Sequence, residues 1–191
     1  MKLLLALATL LLILEYFKMS FFASLARQAG EEFVRNNKVL ALPLNLPEEL
    51  LKKKAGVFVT IQNKDELRGC IGTYLPTQEN LAQEIIANAI SVVSEDYRFS
   101  PVSIEELPEL SYTVSVLSNP ELVTDIKNLN PQKYGILVKA LSSPKSGLLL
   151  PCLKKIDTIQ KQISVACEKG GINPFEEKIA IYRFTVEKHE E

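Results

Sequence analysis

Residues 56–72, GVFVTIQNKDELRGCIG, constrain the fold more than any other stretch of this chain. Two runs alternate apolar and polar residues, and the polar segment Asn63 to Glu66 joins them, a pattern that predicts a β-hairpin. The strands of a hairpin run antiparallel, so a purely parallel, doubly wound sheet is excluded. Elsewhere helical patterns do not alternate strictly with strand patterns. The expected class is therefore α+β, with an antiparallel sheet flanked by helices.

The remaining elements follow from spacing and caps. Phe22, Leu25, Ala26, Ala29 and Phe33 recur at helical steps behind Ser20, a good N-cap. A loop with Pro43 and Pro47 leads to the hairpin. Thr77 is expected to cap the next helix, whose face of Leu81, Ile85, Ala89 and Val92 should pack on the hairpin. In FSPVSIEELPEL, Ser103 and Glu106 form a capping box, which predicts a helical turn before the strand SYTVSVL. Tyr134 to Lys139 and Gly147 to Leu150 read as two strands separated by the turn-rich SSPKS. Asp157 and Gln160 suggest a second capping box, opening a helix with Ile159, Ile163 and Ala166 inward that stops at Gly170 and Gly171. KIAIYRFTV is expected to be the last strand.

The first residues admit two readings. Lys2 followed by LLLALATLLLIL at 3–14 resembles the start of a signal anchor, which would tether the protein to a membrane. About 20 apolar residues are needed to span a bilayer, however, and Glu15 and Lys18 interrupt the run early. The favoured reading takes residues 1–18 as an extension or over-called start and begins the fold at Met19.

The chain has 191 residues, 47% of them hydrophobic, enough for one sizeable globular unit. Lys and Arg number 22 against 23 Asp and Glu, so a net charge of -1 supplies no overall field to attract nucleic acid or an anionic membrane; only a local basic patch would serve. Cys70, Cys152 and Cys167 are too widely spaced for a zinc clip and indicate no disulfide framework. Reduced thiols and a cytoplasmic location are expected. The single histidine, His189, is expected to be solvated near the charged C-terminal end, which argues against a Cys-His dyad and a histidine-rich metal site. No Walker-type loop, dinucleotide fingerprint or nucleophile elbow is present. Neither a cofactor nor a metal is expected.

LRGCIG, residues 67–72, is the candidate site. Residues two apart in a strand share a face, which would place Arg68 beside Cys70, where its charge favours the thiolate. Gly69 and Gly72 leave room for a ligand or another backbone to approach. The opposing reading makes Cys70 a small packed hydrophobe. A base near Cys70 would have to be a carboxylate, a tyrosine such as Tyr74, or a group from a partner. In EDYRF, residues 95–99, Asp96 and Arg98 are either a solvated helix end or fold back to the hairpin to order Arg68 or bind a polar ligand. Cys167 and Cys152 are read as packing residues.

LRGCIGTY, EDYRFSPVSIEELPELSYTVSVLS, KYGILVKA, GLLLP and CEKGGINP, in that order, resemble the AMMECR-one domain family, whose prokaryotic members are called AmmeMemoRadiSam system protein A. The resemblance runs from about Phe22 to Lys188, and LRGCIG followed by Thr73 is the family signature. The chain departs from the family at Tyr97, where Pro is common, and near Phe175, where Trp is common. The resemblance implies one domain over 19–189, with a larger lobe on an antiparallel sheet flanked by helices and a smaller lobe beside it. It also implies a Memo-like protein and a radical SAM enzyme as partners, acting to modify a nucleic acid base or another biomolecule. Cys70 and Arg68 would then be catalytic, with Gly69, Gly72, Thr73, Asp96 and Arg98 binding the ligand. The alternative is a binding module in which Cys70 is structural.

Overall fold

The computed structural model describes residues 21–191, which divide into two compact units. The larger holds the described residues to Val116 together with Glu187–Glu191, and the smaller is Leu117–Val186. Ser20 and the apolar run 3–14 lie outside the described residues.

The hairpin forms as the sequence predicts. Strands β1 (Val57–Asn63) and β2 (Glu66–Gly72) pair antiparallel across Lys64 and Asp65. Both turn residues have positive φ, 50° and 68°, as a two-residue type I′ turn requires to match the twist of its strands. β3 (Leu110–Leu117) pairs antiparallel with the other side of β1, and β8 (Val186–Glu190) completes the order β2-β1-β3-β8. The pairs Val57↔Val116, Val59↔Val114 and Ile61↔Tyr112 put one buried face on the two central strands.

Helices cover that face. α1, helical over 21–36, contributes Phe22, Leu25, Ala26 and Ala29 to the core. α2 (Glu48–Lys52), which the proline-bracketed loop did not suggest, buries Leu50. α3 (Leu81–Ser94) buries Leu81, Ile85, Ala89 and Val92 together with the hairpin. Each large aliphatic side chain removed from water there is worth roughly 1.5–3 kcal/mol. The cap of α3 is Asn80, whose side chain accepts from the Gln83 N–H at 3.0 Å. Thr77 does not cap it and has another task, described below. The Ser103–Glu106 box opens a 3₁₀ turn (Ile104–Glu109) as expected.

In the smaller unit, β4 (Glu121–Leu122), β5 (Gly135–Ala140), β6 (Ser146–Leu149) and β7 (Ile179–Phe184) form a sheet in the order β4-β7-β5-β6. α4 (Ile159–Lys169) packs Ala166 and Cys167 with Ile136, Val138 and Leu149. Its cap is Thr158 rather than the expected Asp157, and it ends at Gly170. KIAIYRFTV is not one strand. Thr185 accepts from the Ser118 N–H at 3.0 Å and donates its own N–H to Ser118 Oγ at 2.9 Å, which separates β7 from β8.

Two further expectations change. His189 is buried in β8 and stacks on Phe22, ring centroids 3.8 Å apart, because strand alternation outweighs its closeness to charged residues. Cys152 is exposed at φ 57°, with its N–H donated to the Pro131 carbonyl and its thiol to the Gln132 carbonyl at 2.8 Å. It belongs to a turn and not to the core. Cys167 is buried as expected, and burial pushes its thiol pKa up. Among the described residues no helix is long and apolar enough to cross a membrane.

Because Asp65 holds a left-handed conformation that glycine adopts without a Cβ clash, Asp65→Gly is expected to stabilise the protein by roughly 0.5 kcal/mol. A urea titration reads the change; a loss of stability would show that the turn does not adopt this form.

Candidate functional site

Among the described residues, β2 has a neighbouring strand on one side only. An open strand edge exposes backbone donors and acceptors, and folded proteins cover it. Here the cover is the turn after α3. The Phe99 N–H donates to the Asp96 carbonyl at 2.9 Å and the Val102 N–H to Val93 at 2.8 Å, so the chain reverses against the end of the helix. That reversal sets Asp96 and Arg98 beside Cys70.

The Cys70 N–H donates to Asp96 Oδ2 at 2.8 Å, and Arg98 Nη2 donates to the Cys70 carbonyl at 3.0 Å. Arg98 also donates through Nη2 and Nε to the Asp96 carboxylate at 2.7 and 2.9 Å. One acid and one base thus replace the missing strand. Asp96 is buried, its side chain 4% exposed against 41% for Arg98. Donation from Arg98, aided by the Cys70 N–H, overcomes burial and holds the Asp96 carboxyl at about 2. Of the two readings of EDYRF, folding back onto the hairpin is what occurs, at Cys70 rather than at Arg68.

Arg68 occupies a β-bulge. Ile61 pairs with Gly69 and Gln62 with Leu67, which leaves Arg68 as the extra residue. Its guanidinium instead donates to Glu106 at 2.6 and 3.2 Å and to the Ser100 carbonyl at 2.9 Å, over the ring of Phe99. Glu106 is itself held by the capping box, accepting the Ser103 N–H at 2.8 Å. Hydrogen-bond donation from Arg68 outweighs burial and lowers the Glu106 carboxyl pKa. The Arg68 charge is neutralised by that carboxylate.

Cys70 lies opposite Thr60, whose hydroxyl donates to Sγ at 3.2 Å, and Thr60 lies opposite Thr113 on its other side. These three half-buried residues form a row across the sheet face turned away from the core. The space above the two glycines is already filled. A Cβ on Gly69 would lie 3.0 Å from Val92 Cγ2 in α3, and one on Gly72 would lie 2.3 Å from the Val57 carbonyl oxygen. Both absences of a side chain serve close approach of this chain to itself.

Thr73 closes the signature and leads to a residue that the sequence reading missed. Its hydroxyl donates to buried Glu84 at 2.6 Å, as do the Thr77 N–H at 2.7 Å, the Gln78 N–H at 2.8 Å and the Thr77 hydroxyl at 3.1 Å. Burial alone would raise the Glu84 carboxyl pKa, but these donors outweigh it and the net shift is downward. The signal was present as an acid between Leu81 and Ile85 on an otherwise apolar helix face. Among the described residues no group of three or more His, Cys, Asp or Glu could hold a metal ion. The structure thus brings Arg68, Cys70, Asp96 and Arg98 together, and ties Thr73 to a separate cluster on the same helix.

A family model described as AMMECR1, the AMMECR-one family, matches residues 23–189. A protein of Thermotoga maritima is 48% identical over 160 residues, which cover 83% of this chain and 91% of that protein. A protein of Clostridium acetobutylicum is 37% identical over 171 residues, 89% of this chain but 36% of its own length, so the chain spans only about a third of it. Among solved structures, the crystal structure of an uncharacterized protein from Pyrococcus horikoshii matches with a TM-score of 0.81 at 33% identity, covering 88% of this chain and 89% of that one.

Removing Arg98 would strand a buried carboxylate. Arg98→Met is therefore expected to cost roughly 2–3 kcal/mol near neutral pH. The Asp96 pKa is depressed in the fold, so its contribution is present above the ordinary value of 3.8 and is lost as pH falls through about 2. The difference between wild type and Arg98→Met in chemical denaturation should shrink across that window. A pH-independent difference would contradict the role assigned to the pair.

Proposed function

Because the chain belongs to the AMMECR1 family, we propose that it is a partner-binding component of an AmmeMemoRadiSam-type system and not itself the catalyst. On this reading it acts in the cytoplasm with a Memo-like protein and a radical SAM enzyme, and chemistry on the nucleic acid base or other biomolecule falls to those partners. The observation that supports the reading is the commitment of the signature to internal bonds. Arg68 is neutralised by Glu106, the Cys70 backbone is held by Asp96 and Arg98, and both glycines are packed against the chain. A nucleophilic thiol needs a base or a fixed positive charge beside it. The bonds of both nearby arginines are directed to carboxylates and backbone carbonyls.

One contact favours the rival reading, in which Cys70 carries an intermediate: the Thr60 hydroxyl donates to Sγ, as it would to a thiolate. The two readings part on a single substitution. In a reconstituted system containing both partners, Cys70→Ala is expected to fold and to support the same product formation as wild type. Loss of product with the fold and partner binding intact would restore the catalytic reading.

A further inference from the structure

The bonds that brace β2 also fix an exposed surface. Tyr97 stands between Asp96 and Arg98 and is 95% exposed, while Leu67 and Ile104 are 47% and 48% exposed. Single exposed apolar residues are ordinary. These three are distinguished by their attachment: Leu67 precedes Arg68 in the bulge, Ile104 lies within the Ser103–Glu106 box that Arg68 grips, and Tyr97 is flanked by the pair bonded to Cys70. Three separate segments are locked around one arginine. A backbone braced on both sides of an exposed aromatic residue loses little freedom on binding. A hollow of about 450 Å³ opens alongside, lined by Asn63, Lys64, Glu66, Leu67 and Arg68.

The charge around these anchors is one-sided. Segments 64–68 and 95–109 carry seven acidic side chains against three basic ones, a local net charge of -4 in a chain whose total is -1. All three bases are paired with acids of the same segments, Arg68 with Glu106, Arg98 with Asp96 and Lys64 with Glu109, which leaves the other four acids uncompensated. Glu66, Glu95 and Glu105 are exposed around the anchors. Such a rim repels nucleic acid and anionic lipid and attracts a cationic partner.

We infer that Tyr97, Leu67 and Ile104, within their acidic rim, form a docking surface for a protein segment that carries Lys or Arg beside apolar side chains. This deepens the partner-binding reading, on which it rests for the partners' identity. The surface has its own test. The full chain, labelled with ¹⁵N, is titrated with an amphipathic helical peptide of Leu and Lys and with its Leu and Glu counterpart. The Lys peptide should shift the amides of residues 67, 97 and 104, more weakly as salt rises, and the Glu peptide should not. Tyr97→Ala and Glu105→Lys, both at exposed positions, should each weaken the Lys peptide about tenfold. Shifts elsewhere, no shifts, or binding of a single-stranded oligonucleotide at these residues would overturn the inference.

The same variants are then measured against the Memo-like protein and the radical SAM enzyme. Binding of either partner to wild type that is about tenfold weaker in Tyr97→Ala supports both proposals. Equal binding by wild type and variants would remove this surface as the docking site while the partner-binding reading stands. A wild type that docks the Lys peptide here but binds neither partner would end that reading and leave the surface.

Discussion

Asp96 and Arg98 occupy the place of a strand beside β2, and the arrangement of the surrounding segments depends on that substitution. A carboxylate accepts the edge N–H of Cys70 and a guanidinium satisfies the carbonyl of the same residue. The pair is held together by its own bonds and is buried on the acidic side only. An exposed ion pair contributes at most about 1 kcal/mol. Here the weight comes from burial, because a half-removed pair leaves a buried carboxylate without its counter-charge. Gly69 makes the geometry reachable: with no side chain, β2 lies close against Val92, and the turn after α3 arrives level with Cys70.

Glu84 performs a related task at the other end of the signature. Hydroxyls and N–H groups from Thr73, Thr77 and Gln78 converge on one ionised carboxylate near the start of α3. The helix therefore anchors the signature at both ends, through a buried acid near its first turn and an ion pair just beyond its last. The strand between them has little freedom to move. That rigidity suits a surface that presents side chains, and it leaves Cys70 as a residue whose backbone is held more firmly than its thiol.

Much of the scaffold was legible because it rests on local chemistry. The hairpin, the apolar stripe of α3, the Ser103–Glu106 box and the glycine stop of α4 each depend on residues a few positions apart. Where reading and structure differ, competition between neighbouring caps or long-range pairing decided the outcome. Asn80 and Thr158 displaced the expected caps Thr77 and Asp157, since each is a good acceptor and local pattern does not rank neighbouring candidates. The bulge at Arg68 came from register, which a one-strand alternation does not reveal. Charged neighbours made His189 look solvated, but membership of β8 buried it against Phe22. Asp96, Arg98, Arg68 and Cys70 were recognised as a group, but the Arg68 partner Glu106 was not, because it is distant in sequence, and neither was Glu84, the partner of Thr73, which lay hidden in an apolar stripe.

Exchange of the Cys70 amide hydrogen tests the brace most directly. On an uncovered edge this N–H would face water and exchange rapidly, whereas amides of the central strand β1 lie between two neighbours. Held by Asp96, the Cys70 N–H should show protection comparable with that of β1. Exchange at the rate of an open edge amide, with β1 still protected, would show that the side-chain pair does not close the strand.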